Sequence, residues 1–217
     1  MRALVPEQLE EVVLLGAHCD DIAIGAGGTV LTICRANPGL RVKALVLAGA
    51  GTEREAEERM ALTALCPKAQ LEVTVLGMPD GRLPANWTFA KEALEEFRRG
   101  TEPDLVIAPS AHDAHQDHRE LAKLVPTTFR AHLAIGYEIL KWDGDLEQPN
   151  VYVPLTEAVV DEKITLLHEH YPSQRGRTWF DDTAFRGLAR IRGVQSGSRY
   201  AEGFHGPKIP LAFGAPE

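Results

Sequence analysis

The chain has 217 residues, of which 44% are hydrophobic and 25% charged, a globular composition that excludes a largely disordered chain. Its net charge of −8 disfavours nucleic acid and anionic membrane as partners, because phosphate binding relies on clustered Lys and Arg. No apolar run approaches the length of a membrane span. The first fifteen residues lack the basic start, apolar run and small-residue cleavage site of a secretory signal. At roughly 150 residues per domain, the length predicts a single domain over 1–217.

Short apolar runs alternate with amphipathic segments along the chain. Residues 11–17 (EVVLLGA) read as a buried strand, 22–35 as a helix opening on small residues, and 41–48 (RVKALVLA) as a second strand. A charged amphipathic helix is expected over 53–65, with Met60, Leu62 and Leu65 among its apolar positions. A strand follows over 71–76, a helix over 87–99 and a strand over 104–108 (DLVIA). Residues 119–130 predict a helix bent or broken at Pro126. The second half is less regular, with strands expected over 133–139 and 151–155 and a helix over 156–170. Residues 173–198 are punctuated by Gly and polar residues and read as an irregular elaboration of the same domain. Strands alternating with helices imply βαβ units, so the expected fold class is α/β: a Rossmann-like, mostly parallel sheet with helices on both faces.

The three cysteines, Cys19, Cys34 and Cys66, are odd in number and form no CxxC pair. They make neither a disulfide framework nor a structural zinc cluster, and a reducing, cytoplasmic setting fits them. Cys34 and Cys66 read as small buried hydrophobes.

Two polar constellations stand where strands are expected to end, and ligands of open parallel sheets bind at the carboxyl ends of the strands. The first is GAHCDDIAIGAGGT. His18 and Asp21 are three residues apart in the turn leaving the first strand, and an imidazole with a carboxylate suits Zn2+. Asp20 stands beside them as a carboxylate able to take a proton from a metal-activated water. The plainer alternative is that Asp20 or Asp21 caps the following helix. Gly25, Gly27 and Gly28 read as helix–sheet packing. They do not form the GxGxxG dinucleotide fingerprint.

The second constellation is APSAHDAHQDHREL, which places three of the eight histidines within seven residues. If His118 meets His18 and Asp21, the set is two imidazoles and a carboxylate, which leaves the fourth position of a zinc ion open, as in catalytic sites. Asp117 then serves to hydrogen-bond a ligand histidine or to cap the helix. His115 is a candidate acid or oxyanion stabiliser. His112 and Asp113 read as loop residues. Trp142, Trp179 and Tyr200 read either as sugar-stacking or as core aromatics, and Lys141, Arg175 and Arg177 as phosphate contacts or solvated charges.

HCDDIAIGAGGT together with HQDH resembles the LmbE-like, or PIG-L, family of zinc-dependent N-deacetylases. The segments LGMPDGRL (76–83), GTEREAEERMALTAL (51–65), KITLLHEHYPSQ (163–174) and RYAEGF (199–204) resemble further landmarks of that family, so the likeness covers nearly the whole chain. The resemblance implies His18, Asp21 and His118 as zinc ligands and Asp20 as the general base. It implies His115 as the residue that stabilises the oxyanion, and Arg54 and Asp80 as sugar contacts. The implied activity is hydrolytic removal of an N-acetyl group from an N-acetylglucosamine-type conjugate, with Zn2+ as cofactor and a small amino-sugar conjugate as partner. The sequence departs from the family pattern at Cys19, where the family has Pro, and at Ile22, where it often has an acidic residue. The competing readings are a metal-dependent amidase acting outside sugars, a nucleotide-binding module without hydrolysis, and a non-catalytic relative. No segment reads as an obvious interface, and a homo-oligomer stays open.

Overall fold

The computed structural model describes residues 9–209, so the outermost parts of the expected 1–217 domain, 1–8 and 210–217, lie outside the described residues. Among the described residues seven strands form one sheet: β1 (Glu11–Gly16), β2 (Arg41–Val46), β3 (Gln70–Val75), β4 (Leu105–Pro109), β5 (Leu133–Tyr137), β6 (Val151–Leu155) and β7 (Tyr200–His205). Their order across the sheet is β3-β2-β1-β4-β5-β7-β6. The first five run parallel, while β7 is antiparallel to both β5 and β6. The expected α/β class and its mostly parallel sheet are therefore present.

Helices α1 (Asp21–Ala36), α2 (Glu53–Leu65), α3 (Trp87–Arg99), α4 (Gln116–Thr128), α5 (Glu157–His170) and α6 (Asp182–Ser196) flank the sheet. Alternation along β1 divides the core, because successive side chains of a strand point to opposite faces. Val12 and Leu14 pack with α1, α2 and α5, whereas Val13 and Leu15 pack with α3 and α4. All six residues of β1 are buried, which is why its sequence is a continuous apolar run. α4 continues past the expected break and carries Pro126 inside the helix.

Helix α1 lies close against the sheet. A Cβ on Gly25 would stand 2.3 Å from Cδ2 of Tyr137 on β5, and one on Gly28 would stand 2.6 Å from Cδ1 of Leu155 on β6. These glycines serve helix–sheet packing, as their sequence context suggests.

Two elements of the C-terminal part depart from expectation. Residues 173–198 are not wholly irregular, because they contain α6. That helix buries only Phe185, Arg192 and Gly193 and exposes Ile191 and Val194, so its apolar period is faint. Its ends carry readable signals: Asp181 accepts hydrogen bonds from the backbone N–H groups of Thr183 and Ala184, and Gly197 closes the helix in the left-handed conformation. β7 was not expected as a strand, and it separates β5 from β6.

The chain winds outward from β1 through β2 to β3, then returns to place β4 on the other side of β1. The strand order thus reverses between β1 and β4. The crevice at the carboxyl ends of two such strands is the general ligand position of this architecture. The turn after β1 carries His18–Asp21, and the loop after β4 carries the histidine cluster.

Candidate metal centre

Asp21 opens α1 and holds the turn that delivers it. Its Oδ2 accepts from the backbone N–H groups of Ala17 and His18, both at 2.9 Å. Its Oδ1 faces Nε2 of His118 at 3.2 Å. Nδ1 of His18 lies 3.1 Å from Nε2 of His118 and 3.6 Å from Asp21 Oδ2. Tetrahedral zinc with bonds of about 2.0–2.1 Å requires ligand atoms about 3.3 Å apart; the contacts of His118 Nε2 with His18 Nδ1 and with Asp21 Oδ1 are close to that size, and the His18 contact with Asp21 is made to the other carboxylate oxygen.

The outer nitrogens of both histidines are held by carboxylates. His18 Nε2 lies 3.0 Å from Asp117 Oδ2 and 3.1 Å from Asp80 Oδ1. His118 Nδ1 lies 2.9 Å from Asp113 Oδ2. A carboxylate on the far nitrogen fixes the tautomer and leaves the near nitrogen's lone pair for a metal. The two near nitrogens and the Asp21 carboxylate then lie within 3.6 Å of one another.

The electrostatics also demand positive charge there. Burial works against charge on His18, but hydrogen bonds to Asp117 and Asp21 outweigh it and push its pKa up to about 12. Burial likewise opposes charge on His118, and the Asp21 charge with the Asp113 hydrogen bond pushes it up to about 9. The donor set and the surplus of carboxylates both fit a divalent cation of the zinc type.

Asp20 is buried and immediately precedes α1 with φ 120° and ψ −25°. Its side chain caps nothing, which sets aside the capping alternative for this residue. Arg54 Nη2 lies 3.1 Å from Asp20 Oδ2 and donates to the Cys19 carbonyl at 2.5 Å. Burial pushes the Asp20 carboxyl up to about 7, with Arg54 opposing and Asp21 reinforcing the rise. A carboxylate near that value suits proton abstraction at neutral pH.

His115 is the N-cap of α4. Its Nδ1 accepts the backbone N–H of Asp117 at 3.3 Å, so the neutral ring carries its proton on Nε2. Its ring centroid is 4.8 Å from that of His18 and 4.6 Å from that of His118. Asp80, largely exposed, reaches the site from the loop after β3, with its Oδ2 3.8 Å from Arg54 Nη1. The structure thus brings His18, Asp20, Asp21, Arg54, Asp80, His115 and His118 together at one sheet end. By distance alone, the groups of metal-ligating side chains among the described residues are His18 with His115 and His118, and His18 with Asp80 and Asp117; Asp21 joins His18 and His118 through the contacts given above.

Asp113 corrects the expectation of a bland loop residue. It is buried, and its Oδ1 accepts from the His115 backbone N–H at 2.7 Å and lies 3.0 Å from Lys141 Nζ. Its position five residues before His118 in a His/Asp-rich run was the available signal. Glu58 and Tyr171 received no role from the sequence. Glu58 is buried on α2, and its Oε2 accepts the Asp20 backbone N–H at 2.8 Å and the Tyr171 hydroxyl at 2.7 Å. It stands one helical turn after Arg54, a spacing that shares a face.

The other residues weighed from sequence divide. Tyr200 is buried and packs in the core, while Trp142 is exposed with the Arg177 guanidinium over its ring. Lys141 is committed to Asp113 and Asp145, and Arg175 to the His168 carbonyl. His112 is half exposed, beside Glu147. Cys19, Cys34 and Cys66 are all buried and free.

The chain is thus an α/β protein whose mostly parallel sheet carries a histidine–carboxylate cluster in the crevice between β1 and β4. The sequence profile described as PIG-L, GlcNAc-PI de-N-acetylase, matches residues 13–129, and the chain belongs to that family. It is 25% identical over 228 aligned residues to the diacetylchitobiose deacetylase of Thermococcus kodakarensis, covering 90% of this chain and 82% of that one. Its fold is similar to that of the N,N'-diacetylchitobiose deacetylase from Pyrococcus horikoshii, with TM-score 0.71, 21% identity, and coverage of 91% and 83%. It is equally similar in fold to a 4-carboxy-2-hydroxymuconate hydratase from Pseudomonas putida, with TM-score 0.75, 16% identity, and coverage of 95% and 100%. The fold therefore accommodates more than one reaction, and chemistry has to be argued from the site. Among the described residues no helix is long and apolar enough to cross a membrane.

Proposed function

We propose that the chain is a zinc-dependent N-deacetylase that hydrolyses the acetamide of an N-acetylglucosamine-type conjugate. The observation that carries this reading is the convergence of His18 Nδ1, His118 Nε2 and an Asp21 carboxylate oxygen beside a separate, buried Asp20. His18, Asp21 and His118 are the residues that would hold Zn2+. When bound in such a set, zinc polarises an acyl carbonyl and acidifies water.

The chain's own groups supply the rest. Asp20 takes the proton of the attacking water, and Arg54 holds that carboxylate in place. His115 offers its Nε2–H to the carbonyl oxygen as negative charge gathers there. The water oxygen bonds to the carbonyl carbon, the C–N bond breaks, and the departing nitrogen is protonated from Asp20 or His115. The products are acetate and a free amine. Asp80, exposed at the mouth, and the Arg54 guanidinium face the sugar hydroxyls. Membership of a de-N-acetylase family and the likeness to a diacetylchitobiose deacetylase support an amino-sugar substrate. Three buried, unpaired cysteines support a reducing, cytoplasmic setting.

The test is acetate release by zinc-loaded protein from N-acetylglucosamine, diacetylchitobiose and a set of non-sugar acetamides. Turnover confined to the sugars is the expected result. Turnover confined to the non-sugar amides would overturn the substrate class, and none at all would overturn the activity.

A further inference from the structure

The geometry points to Glu58 and Tyr171 as positioning residues that set the backbone of Asp20 and so aim its carboxylate; the inference rests on the deacetylase reading above. Asp20 has φ 120°, a conformation that side-chain-bearing residues rarely adopt. Such strain persists only where the surroundings over-determine it. Here the surroundings are α2 and the segment after α5.

Three contacts from α2 grip residues 19 and 20. Glu58 Oε2 accepts the Asp20 backbone N–H, while Arg54 binds the Cys19 carbonyl and the Asp20 carboxylate. The carbonyl before Asp20, the N–H of Asp20 itself and its carboxylate are thus all committed to one helix face.

Glu58 has no other evident use. It is completely buried, and its Oε1 has no hydrogen-bond partner. A buried carboxylate with an orphaned oxygen is costly unless its remaining bonds matter. The two bonds it makes are both on Oε2, one to Asp20 and one to Tyr171. Tyr171 is itself buried, and the segment that follows it is tied to α2. Ser173 donates its backbone N–H and its hydroxyl to Glu57, the residue preceding Glu58, at 2.9 and 2.5 Å. Tyr171 therefore fixes the Glu58 carboxylate, and Glu58 fixes the Asp20 amide. Neither touches the proposed zinc ligands in this chain of contacts, so the expected consequence is misaimed base chemistry with the metal retained.

The experiment measures zinc content and steady-state acetate release from diacetylchitobiose, using the full chain. Glu58→Ala is expected to keep wild-type zinc and to lower kcat about tenfold or more, since misplacement of a catalytic group by about 1 Å costs up to about a hundredfold. KM should stay within about twofold, because ground-state binding is untouched. Glu58→Gln, whose side-chain oxygen still accepts the Asp20 N–H, should restore kcat to within about threefold of wild type. In an Asp20→Asn background Glu58→Ala should lower kcat no further, because residues acting as one unit are not additive. Should Glu58→Ala fail to fold, Glu58→Leu with Tyr171→Phe fills the same space without the polar pair, and the same readings apply. Wild-type kcat in Glu58→Ala or in the Glu58→Leu, Tyr171→Phe pair, loss of zinc in either, or a full further drop in the Asp20→Asn background would overturn the proposal. A wild-type chain that releases no acetate would instead overturn the deacetylase reading, and this inference with it.

Discussion

His18 and His118 are 100 residues apart in sequence, yet His18 Nδ1 and His118 Nε2 face one another at 3.1 Å. Each ring hands its other nitrogen to a carboxylate, Asp117 for His18 and Asp113 for His118. The pairing follows from topology. β1 and β4 are adjacent and parallel, so the turn leaving one and the loop leaving the other open at the same end of the sheet.

Protein purified without added metal or chelator should contain about one zinc per chain, the stoichiometry of a single three-ligand site. His118→Ala should contain none, as read by elemental analysis. Chelation should also lower the thermal midpoint. A ligand present at a hundred times its Kd stabilises the fold by about 2.7 kcal/mol, which for a chain of this size is about 5–10 °C. An unchanged midpoint and a metal-free wild type would remove the centre.

Asp20→Asn separates metal binding from turnover. Asn has nearly the same shape but cannot accept the water's proton. The variant should keep its zinc and lose about 10²–10⁴-fold in kcat, the usual range for a general base. Near-normal turnover would take Asp20 out of that role.

Legibility in the sequence followed the type of interaction. The buried strands announced themselves as apolar runs, since β1 is buried on both faces, and α2 and α3 were readable from their amphipathic spacing to the residue. α6 was hidden because it rests on the sheet through few apolar side chains and buries a charged one. Arg192 lies against Glu138 at 2.6 Å, a pairing no local pattern reveals. In the site, residues in short dense motifs were visible, and so were Arg54 and Asp80 through family likeness. Asp113 stands inside one of those motifs, five residues before His118, and was passed over, whereas Tyr171 meets Glu58, and Glu58 meets Asp20, only across long sequence separations. Their residue types occur throughout any acidic chain, and only the folded chain distinguishes them.

Asp113 tests that point directly. Its carboxylate orients His118 and also receives Lys141 and the His115 backbone N–H. Partners of this kind typically contribute 10–100-fold in metal affinity. Asp113→Ala should therefore weaken zinc binding by about 10–100-fold in competition with a chelating dye. Unchanged affinity would return Asp113 to the loop role its sequence suggested.

Gly25→Ala tests the placement of α1, which carries Asp21. The new Cβ would meet the Tyr137 ring at 2.3 Å. That ring is completely buried, with its hydroxyl donating to the Leu15 carbonyl at 2.8 Å, so it has little room to yield. Overpacking of this kind costs about 1–3 kcal/mol, and the thermal midpoint should fall by about 2–12 °C. A midpoint equal to wild type would mean that helix and sheet are less closely apposed.

Asp80 and Arg54 should part company kinetically, although both stand where a sugar would bind. The Asp80 side chain is 65% exposed and touches His18 on the nitrogen that Asp117 already holds. Its removal leaves the proposed zinc ligands supported and takes away a contact available to substrate hydroxyls. Asp80→Ala should raise KM by about 10–100-fold with kcat little changed, the signature of lost ground-state binding worth about 1.5–3 kcal/mol. Arg54 also binds the Asp20 carboxylate, so Arg54→Ala should lower kcat as well as raise KM. Equal kinetic signatures in the two variants would show that Asp80 acts through the metal centre and not at the sugar.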